Sequence, residues 1–524
     1  MTTFFTHKKT KKSFIGQIPL VLGLLGMSYS TLATAAESSA PLTGQPIGLT
    51  EIAEIALNNS PTILTQRLTT VDIAKAKLMM AASAFDIYTS VSLNASRARP
   101  FDGTGNMDNQ ALTASISKAF RSGVSTTFSV NNPRVDSRGV DAPTYNSSSL
   151  SFSVNVPLLK GSGYVGSAAA DETAARLNSE ASLFRFYDVI SQTLIAAIGA
   201  YWDYKVAVVN LDYKRDSEQR VQEWLTEVQN NNGSSPQATR LQTTLADKKR
   251  ATIDATERVS NTKSALGVAI GIPAAQVDQI GSPKEEFPMN WSKILAHFNE
   301  AQAGEKWVAV ALAKRFDLQA TKLDHEAVII SLAQAKRNVL PSLDLSLTAG
   351  RDGTKMGNGF GTYMNSFNTD TGTNTGIGLN FSYPIGNQLA RGSLDIAKVS
   401  HQVSLFQLND LKRRIDIDVR GNAGTVMRNL QAVEQANDAI GGYLSALSKY
   451  KTTLTSSLSD PNSVFNLLKY EDDWVKLTEN QIQALLTLAK TVSKIRSDTG
   501  TLIITDSVAE TKATLGDLTA LPEL

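Results

Sequence analysis

Two proline-free intervals constrain this chain more than any other feature. Pro157 and Pro236 are separated by 78 residues, Pro384 and Pro461 by 76, and neither interval holds a cluster of turn residues except near its ends. Both are rich in Ala, Leu, Val, Gln, Lys and Asp. In the second, Val399, Val403, Leu408, Leu411, Ile415 and Val419 recur along a helical stripe. The pattern predicts one very long helix per interval, over 166–230 and 390–456, each about 100 Å long at ~1.5 Å per residue. Shorter helical patterns cover 50–84, 237–270, 308–339 and 463–499. Taken in pairs they match the long rods in length, so each long helix is predicted to be covered by two short ones running back along it.

The intervals belong to an internal duplication. Ala56–Pro61 followed by Val71–Lys77 resembles Ala311–Asp317 followed by Ile330–Lys336, at an offset of about 255 residues; Val156-Pro157-Leu158 matches Tyr383-Pro384-Ile385 at an offset of 227. A repeat this long is a duplicated domain rather than a solenoid unit. Two turns join long and short helices: Asn230–Pro236, including Gly233, Ser234, Ser235 and Pro236, and Ser457–Asn462, including Ser459, Asp460, Pro461 and Asn462. Gly as a stop and Ser before Pro as a start are the grammar of an antiparallel return.

Between the first short helix and the long helix of each half the period drops to two. Ile377–Tyr383 and Leu150–Val156 alternate large apolar with small or polar residues, and Val91–Asn94 and Leu343–Thr348 supply a partner in each half. Two further candidate strands, Leu112–Phe120 and Val124–Val130, form an extra hairpin in the first half only. The Gly-, Asn- and Thr-rich stretch 352–374 reads as a long external loop. Alternation alone does not distinguish a lipid-facing sheet from one packed on a core. Phe381 and Tyr383 at a strand end favour a membrane interface. If the strands span a membrane, four or six are too few for a barrel of about eight or more, and open edges cannot face lipid. Several chains must then share one barrel.

The N-terminus fixes the route. Lys8, Lys9, Lys11 and Lys12 precede an apolar run from Phe14 to Met27 and the small-x-small triplet Ala33-Thr34-Ala35. This is a secretory signal peptide over 1–35 rather than a span, because Gly16, Pro19, Gly23 and Gly26 interrupt the run. Its removal takes the formal charge from +2 to −2, so nothing suggests nucleic-acid binding. With no cysteine, disulfides, Cys-ligated metals and a catalytic thiol are excluded.

With these elements in order, the chain resembles the TolC-like outer membrane factors, the exit ducts of bacterial efflux pumps and type I secretion systems. The resemblance covers roughly 49–500. It is carried by the two-fold repeat, Ser60-Pro61 and Arg315-Phe316-Asp317-Leu318 at matching helix starts, Leu340-Pro341-Ser342-Leu343 before a strand, Pro384–Gln388 before one long helix and Ala200-Tyr201-Trp202-Asp203 within the other. It implies a mainly α protomer of long antiparallel helices with about four strands, trimerising into a shared 12-stranded transmembrane β-barrel and an α-helical periplasmic tunnel. The expected organisation is a signal peptide, an N-terminal segment 36–48, a first repeat 49–271 (strands within 88–158), a linker or equatorial region 272–306, a second repeat 307–500 (strands within 342–385) and an equatorial tail 501–524. The implied partners are outer membrane lipid, a periplasmic adaptor protein meeting the two helix turns, and an inner-membrane transporter. Some family members place aspartates at the narrow entrance; the matching positions here are Asn466 and Lys469, with Asp473 close by, and the run Glu471-Asp472-Asp473 reads as a solvated helix face.

Other readings are weaker. Gly161–Gly166 matches G-x-G-x-x-G, but the preceding strand alternates and no second strand follows within ~30 residues, as a dinucleotide fold requires. The histidines are scattered, and no metal site, cofactor site, triad or acid–base pair is apparent, so no enzyme is expected. The competing non-enzymatic reading is a secreted coiled-coil structural or adhesin protein.

Overall fold

Proline sets the starts of three helices, because a residue without an N–H costs nothing at the first helical position. Pro61, Pro236 and Pro461 each open a helix. The computed structural model describes residues 44–98, 106–138, 143–232, 235–287, 300–454 and 461–504, with 514, 515, 518 and 521. These lie in one unit, Pro41–Leu524. The expected signal peptide, Gly233, Ser234, Ser459, Asp460 and most of 501–524 lie outside the described residues.

The order is α1 (Leu49–Asn59), α2 (Pro61–Gln66), a π-helical turn Arg67–Asp72, α3 (Ile73–Ala82), then β1 (Ile87–Ala98), β2 (Asn106–Ala119), β3 (Ser125–Arg138) and β4 (Tyr145–Pro157). The short α4 (Gly163–Gly166) leads into α5 (Ala168–Asn232), and α6 (Pro236–Ile270) returns along it to α7 (Ala274–Val277). The second half runs α8 (Glu300–Lys314), α9 (Phe316–Asn338), β5 (Ser342–Met356), α10 (Phe360–Asn365), β6 (Gly372–Ser382), α11 (Gln388–Leu454) and α12 (Pro461–Asp498). A minor pair, β7 (Ile503–Ile504) and β8 (Thr514–Leu515), closes the order. The long helices have 65 and 67 residues. Where periodicity reads one helix over 50–84, the chain breaks at Ser60 and bulges at 67–72; α8 begins eight residues before the expected 308 and so enters the expected linker.

The duplication is visible in the backbone. Ser60, between α1 and α2, has φ −61° and ψ 119°; Arg315, between α8 and α9, has φ −65° and ψ 124°. Each break is met by the end of another helix. Gly271 (φ +75°) follows α6, and a Cβ there would lie 2.6 Å from the Asn59 carbonyl oxygen. Gly500 (φ +69°) follows α12, and a Cβ there would lie 2.8 Å from the Lys314 carbonyl oxygen. Both need a positive φ and the missing side chain at once.

The strands form one antiparallel sheet, ordered β1-β2-β3-β4-β5-β6. It has six strands where the resemblance implies about four, because the hairpin hinted at 112–130 is real and lies between β1 and β4. β1 and β6 are its free edges among the described residues.

The cores lie among the helices. One gathers α1, α5, α6 and α12 around Tyr187, Leu194, Ile198, Tyr201 and Trp202. A second joins α8, α11 and α12 around Trp307, Ile415 and Val419. A third, smaller one lies where α5, α6 and α12 meet near the turns, around Val221, Leu225, Leu241, Val464 and Leu468. The connection after α7 is fixed by Glu285, which accepts from the Leu49 N–H at 2.8 Å and from the Tyr201 hydroxyl.

Candidate functional site

The sheet has two chemically opposite faces, and the register assigns each residue to one. Val91 faces Ala114, Ala114 faces Val130 and Val130 faces Leu150; one step along, Ile116, Phe128, Phe152 and Ala349 form the next row. Leu345 and Leu347 continue this face to Leu379 and Ile377, with Leu343 opposite Phe381. Val91, Leu93, Ile116, Phe128, Phe152, Ile377, Leu379 and Phe381 are exposed here despite being large and apolar. On β4 the band from Leu150 to Val156 is about 20 Å long at ~3.3 Å per residue, close to the ~25 Å apolar belt of membrane barrels.

The opposite face is hydroxyl- and amide-rich. Ser90 and Ser115 share a 2.8 Å hydrogen bond, Ser129 and Ser151 one of 2.7 Å, and the Thr113 hydroxyl donates to Asn131 Oδ1 at 2.9 Å. Side chains this small and polar give no core to pack on, so this face suits water. Towards the loops the apolar face gives way to Arg97, paired with Asp108, and to Asn132, Asn146 and Ser148. These last three are covered by the 357–371 segment, the part of the stretch 352–374, expected to be a long external loop, that lies between β5 and β6. Tyr363 of α10 donates to the Asn132 carbonyl at 2.7 Å, and Asn146 Nδ2 donates to the Lys355 and Gly357 carbonyls at 2.9 Å.

Gly161–Gly166 builds the exit from this sheet. Gly161 and Gly163 adopt φ of +80° and +70°, and Gly123, in the β2–β3 turn, leaves room for the Gly161 carbonyl. The motif turns a strand into α4 and α5.

At the far end of the helices, the Ser235 hydroxyl caps α6, accepting from the Ala238 N–H at 3.3 Å, with the exposed Pro236 behind it. Asn462 is exposed near the start of α12; Asn466 is half-buried, Lys469 exposed and Asp473 half-buried. The acidic run is not a uniformly solvated face. Glu471 is buried and grips Arg220 of α5 through two bonds of 2.7 and 3.0 Å, while Asp472 pairs with Lys248 of α6 at 2.7 Å. Arg220 also lies over the Trp474 ring, 4.6 Å from its centroid. The Tyr443 hydroxyl on α11 donates to the Tyr470 carbonyl, and burial, followed by the negative charge of Asp473, pushes its pKa up. α12 is therefore tied to α5, α6 and α11 within a few turns of its start. Periodicity carried a signal for Glu471: with Val464, Leu468 and Val475 it occupies i, i+4, i+7 and i+11, the buried stripe of its own helix.

His325 of α9 and His401 of α11, distant in sequence, stack with ring centroids 5.2 Å apart, and His325 Nδ1 is 2.8 Å from the Ser404 hydroxyl. Among the described residues no group of three or more His, Cys, Asp or Glu gathers as a metal site.

No protein-family model and no curated protein matches the chain. Solved structures do. The outer membrane channel CmeC of Campylobacter jejuni is 12% identical with a TM-score of 0.60, over 86% of this chain and 85% of that one. The outer membrane protein VceC of Vibrio cholerae is 13% identical with a TM-score of 0.59, over 86% and 96%. The open state of the MtrE outer membrane channel of Neisseria gonorrhoeae is 15% identical with a TM-score of 0.52, over 86% and 88%. At such identities the likeness is one of fold, and the fold is that of the TolC-like outer membrane channels.

Proposed function

We propose that this chain, built on the outer membrane channel fold, is the outer membrane exit duct of a tripartite efflux pump or type I secretion system. It works as a homotrimer, with the sheet in the outer membrane and the helices crossing the periplasm. The observation that carries this reading is the six-stranded sheet, apolar on one face and hydroxyl-lined on the other, continuous with helices about 100 Å long. A sheet with those faces and two open edges is stable in lipid only when further copies close it.

The helices support the same closure. α9 is wedged between α5 and α11, whereas its repeat counterpart, α2 and α3 with the π-helical turn between them, packs along α5 and leaves Leu64, Leu68, Met79 and Met80 exposed. On α11, Leu389, Ile396, Val399 and Phe406 are equally uncovered. Repeating the arrangement head to tail sets α2–α3 of one copy against α11 of the next, a heterologous contact that closes into a ring.

The duct makes and breaks no bond. The turns around Ser234–Pro236 and Ser459–Asn462 meet a periplasmic adaptor, energy comes from an inner-membrane transporter, and α12 shifts against α5 to open the entrance. Asn466, Lys469 and Asp473 stand near that entrance, which is weakly charged rather than ringed by aspartates. The test is fractionation of cells carrying Ser234→Cys or Ser459→Cys, followed by crosslinking from the new thiol. The channel reading predicts outer membrane fractionation and capture of an inner-membrane-anchored adaptor; recovery in the soluble fraction contradicts it. A secreted coiled-coil filament needs no two-faced sheet, and no observation favours it.

A further inference from the structure

We propose that all six strands are wall strands, so that three copies close an eighteen-stranded barrel rather than one of twelve, around a wide lumen; this rests on the membrane-channel reading above. The extra hairpin is not an appendage. It lies between β1 and β4, and β1 has its ladder with β2 alone among the described strands, so removing the hairpin from the wall strands β1. β2 and β3 have 14 residues each, more than the ~9–11 a membrane strand needs. Their alternation is in phase with the other four strands: Ile116, Phe128 and Val130 share the face of Phe152, whereas Ser115 and Ser129 share the face of Ser151. A hairpin folded into an aqueous loop has no need of an apolar face matched in register to the membrane band.

Closure follows from the edges. Six strands are below the smallest known barrels. The free edges, β1 with 12 residues and β6 with 11, are matched in length, and each fits the other edge of a second copy. With strands ~4.7 Å apart and tilted ~40°, eighteen give a barrel about 35 Å across and twelve about 24 Å. Asp344 and Asp352 are the only charged residues on the hydroxyl-rich face among the described residues of the six strands. The lining is therefore sparsely charged and acidic only, two carboxylates per copy, so the barrel is wide enough for bulky solutes and mildly favours cations.

The experiment is a cryo-EM map of the full-length oligomer in nanodiscs, viewed along its axis, with single-cysteine labelling as a second measurement. The chain has no native cysteine. Eighteen strands are expected, with Ser115→Cys, Ser129→Cys and Ser151→Cys labelled by a membrane-impermeant thiol reagent and Ile116→Cys, Phe128→Cys and Phe152→Cys protected. Twelve strands, or alternation at 151/152 with both 115 and 116 labelled, overturns the proposal and leaves the channel reading intact. Loss of alternation at 151/152 as well overturns both.

Discussion

Arg220 and Glu471 are 251 residues apart in the chain and meet in a two-pronged ion pair of 2.7 and 3.0 Å that ties α5 to α12. Glu471 is 5% exposed, so its partner cannot be replaced by water at little cost. Arg220→Met is expected to cost about 3 kcal/mol locally, because a buried carboxylate loses its counter-charge. The predicted consequence is a looser entrance, read as raised resting conductance in planar bilayers. Unchanged conductance at full trimer yield would separate this pair from gating.

The glycines after α6 and α12 test the duplication energetically. Gly271→Ala and Gly500→Ala each place a Cβ against backbone at positive φ, and each is expected to lose about 2 kcal/mol or more. Gly44, at φ +74° with open space around it, carries the backbone strain alone. Gly44→Ala is therefore predicted to lower the thermal midpoint least of the three.

Burial shapes the pH response. Asp498 is held above the usual carboxylate range by burial, with Asp418 adding to the shift and Arg315 and Lys494 opposing it; Asp188 is raised by burial and then by Asp317. A carboxyl that binds its proton more tightly when folded contributes stability below the ordinary pKa of about 4 and loses it as pH rises through the raised folded value. Asp498→Asn is thus expected to raise the melting temperature at pH 7 and to change it little below about pH 4. The reverse order in melting curves would show the charged form to be the stabilised one.

The two faces of β4 make a sharper test of orientation. Phe152→Lys sets a charge on the apolar face and is predicted to cost about 2–4 kcal/mol of membrane-inserted stability, while Ser151→Lys, on the hydroxyl face, costs little. Urea titration of protein refolded into vesicles reads the difference. Equal costs would argue that both faces meet the same solvent.

Much of this was legible in the residues, for physical reasons. Pro157, Pro236, Pro384 and Pro461 bracket the long helices because helix interiors exclude proline, and Ile377–Phe381 alternates because its two sides meet different surroundings. The β2–β3 hairpin was only half legible. Its outer ends, such as Asn106–Asn109 and Asn131–Arg138, carry too few large apolar residues to read as strand and are held by cross-strand pairing instead. Tyr145–Ser149 is hidden in the same way. The Arg220 partner of Glu471 was invisible, since no local pattern encodes a contact across 251 residues.

Native mass spectrometry of the detergent-extracted protein addresses the central claim most directly. Assembly of three copies of the mature chain, recovered from the outer membrane fraction, is the predicted result. A single subunit that stays folded in water without detergent would contradict it.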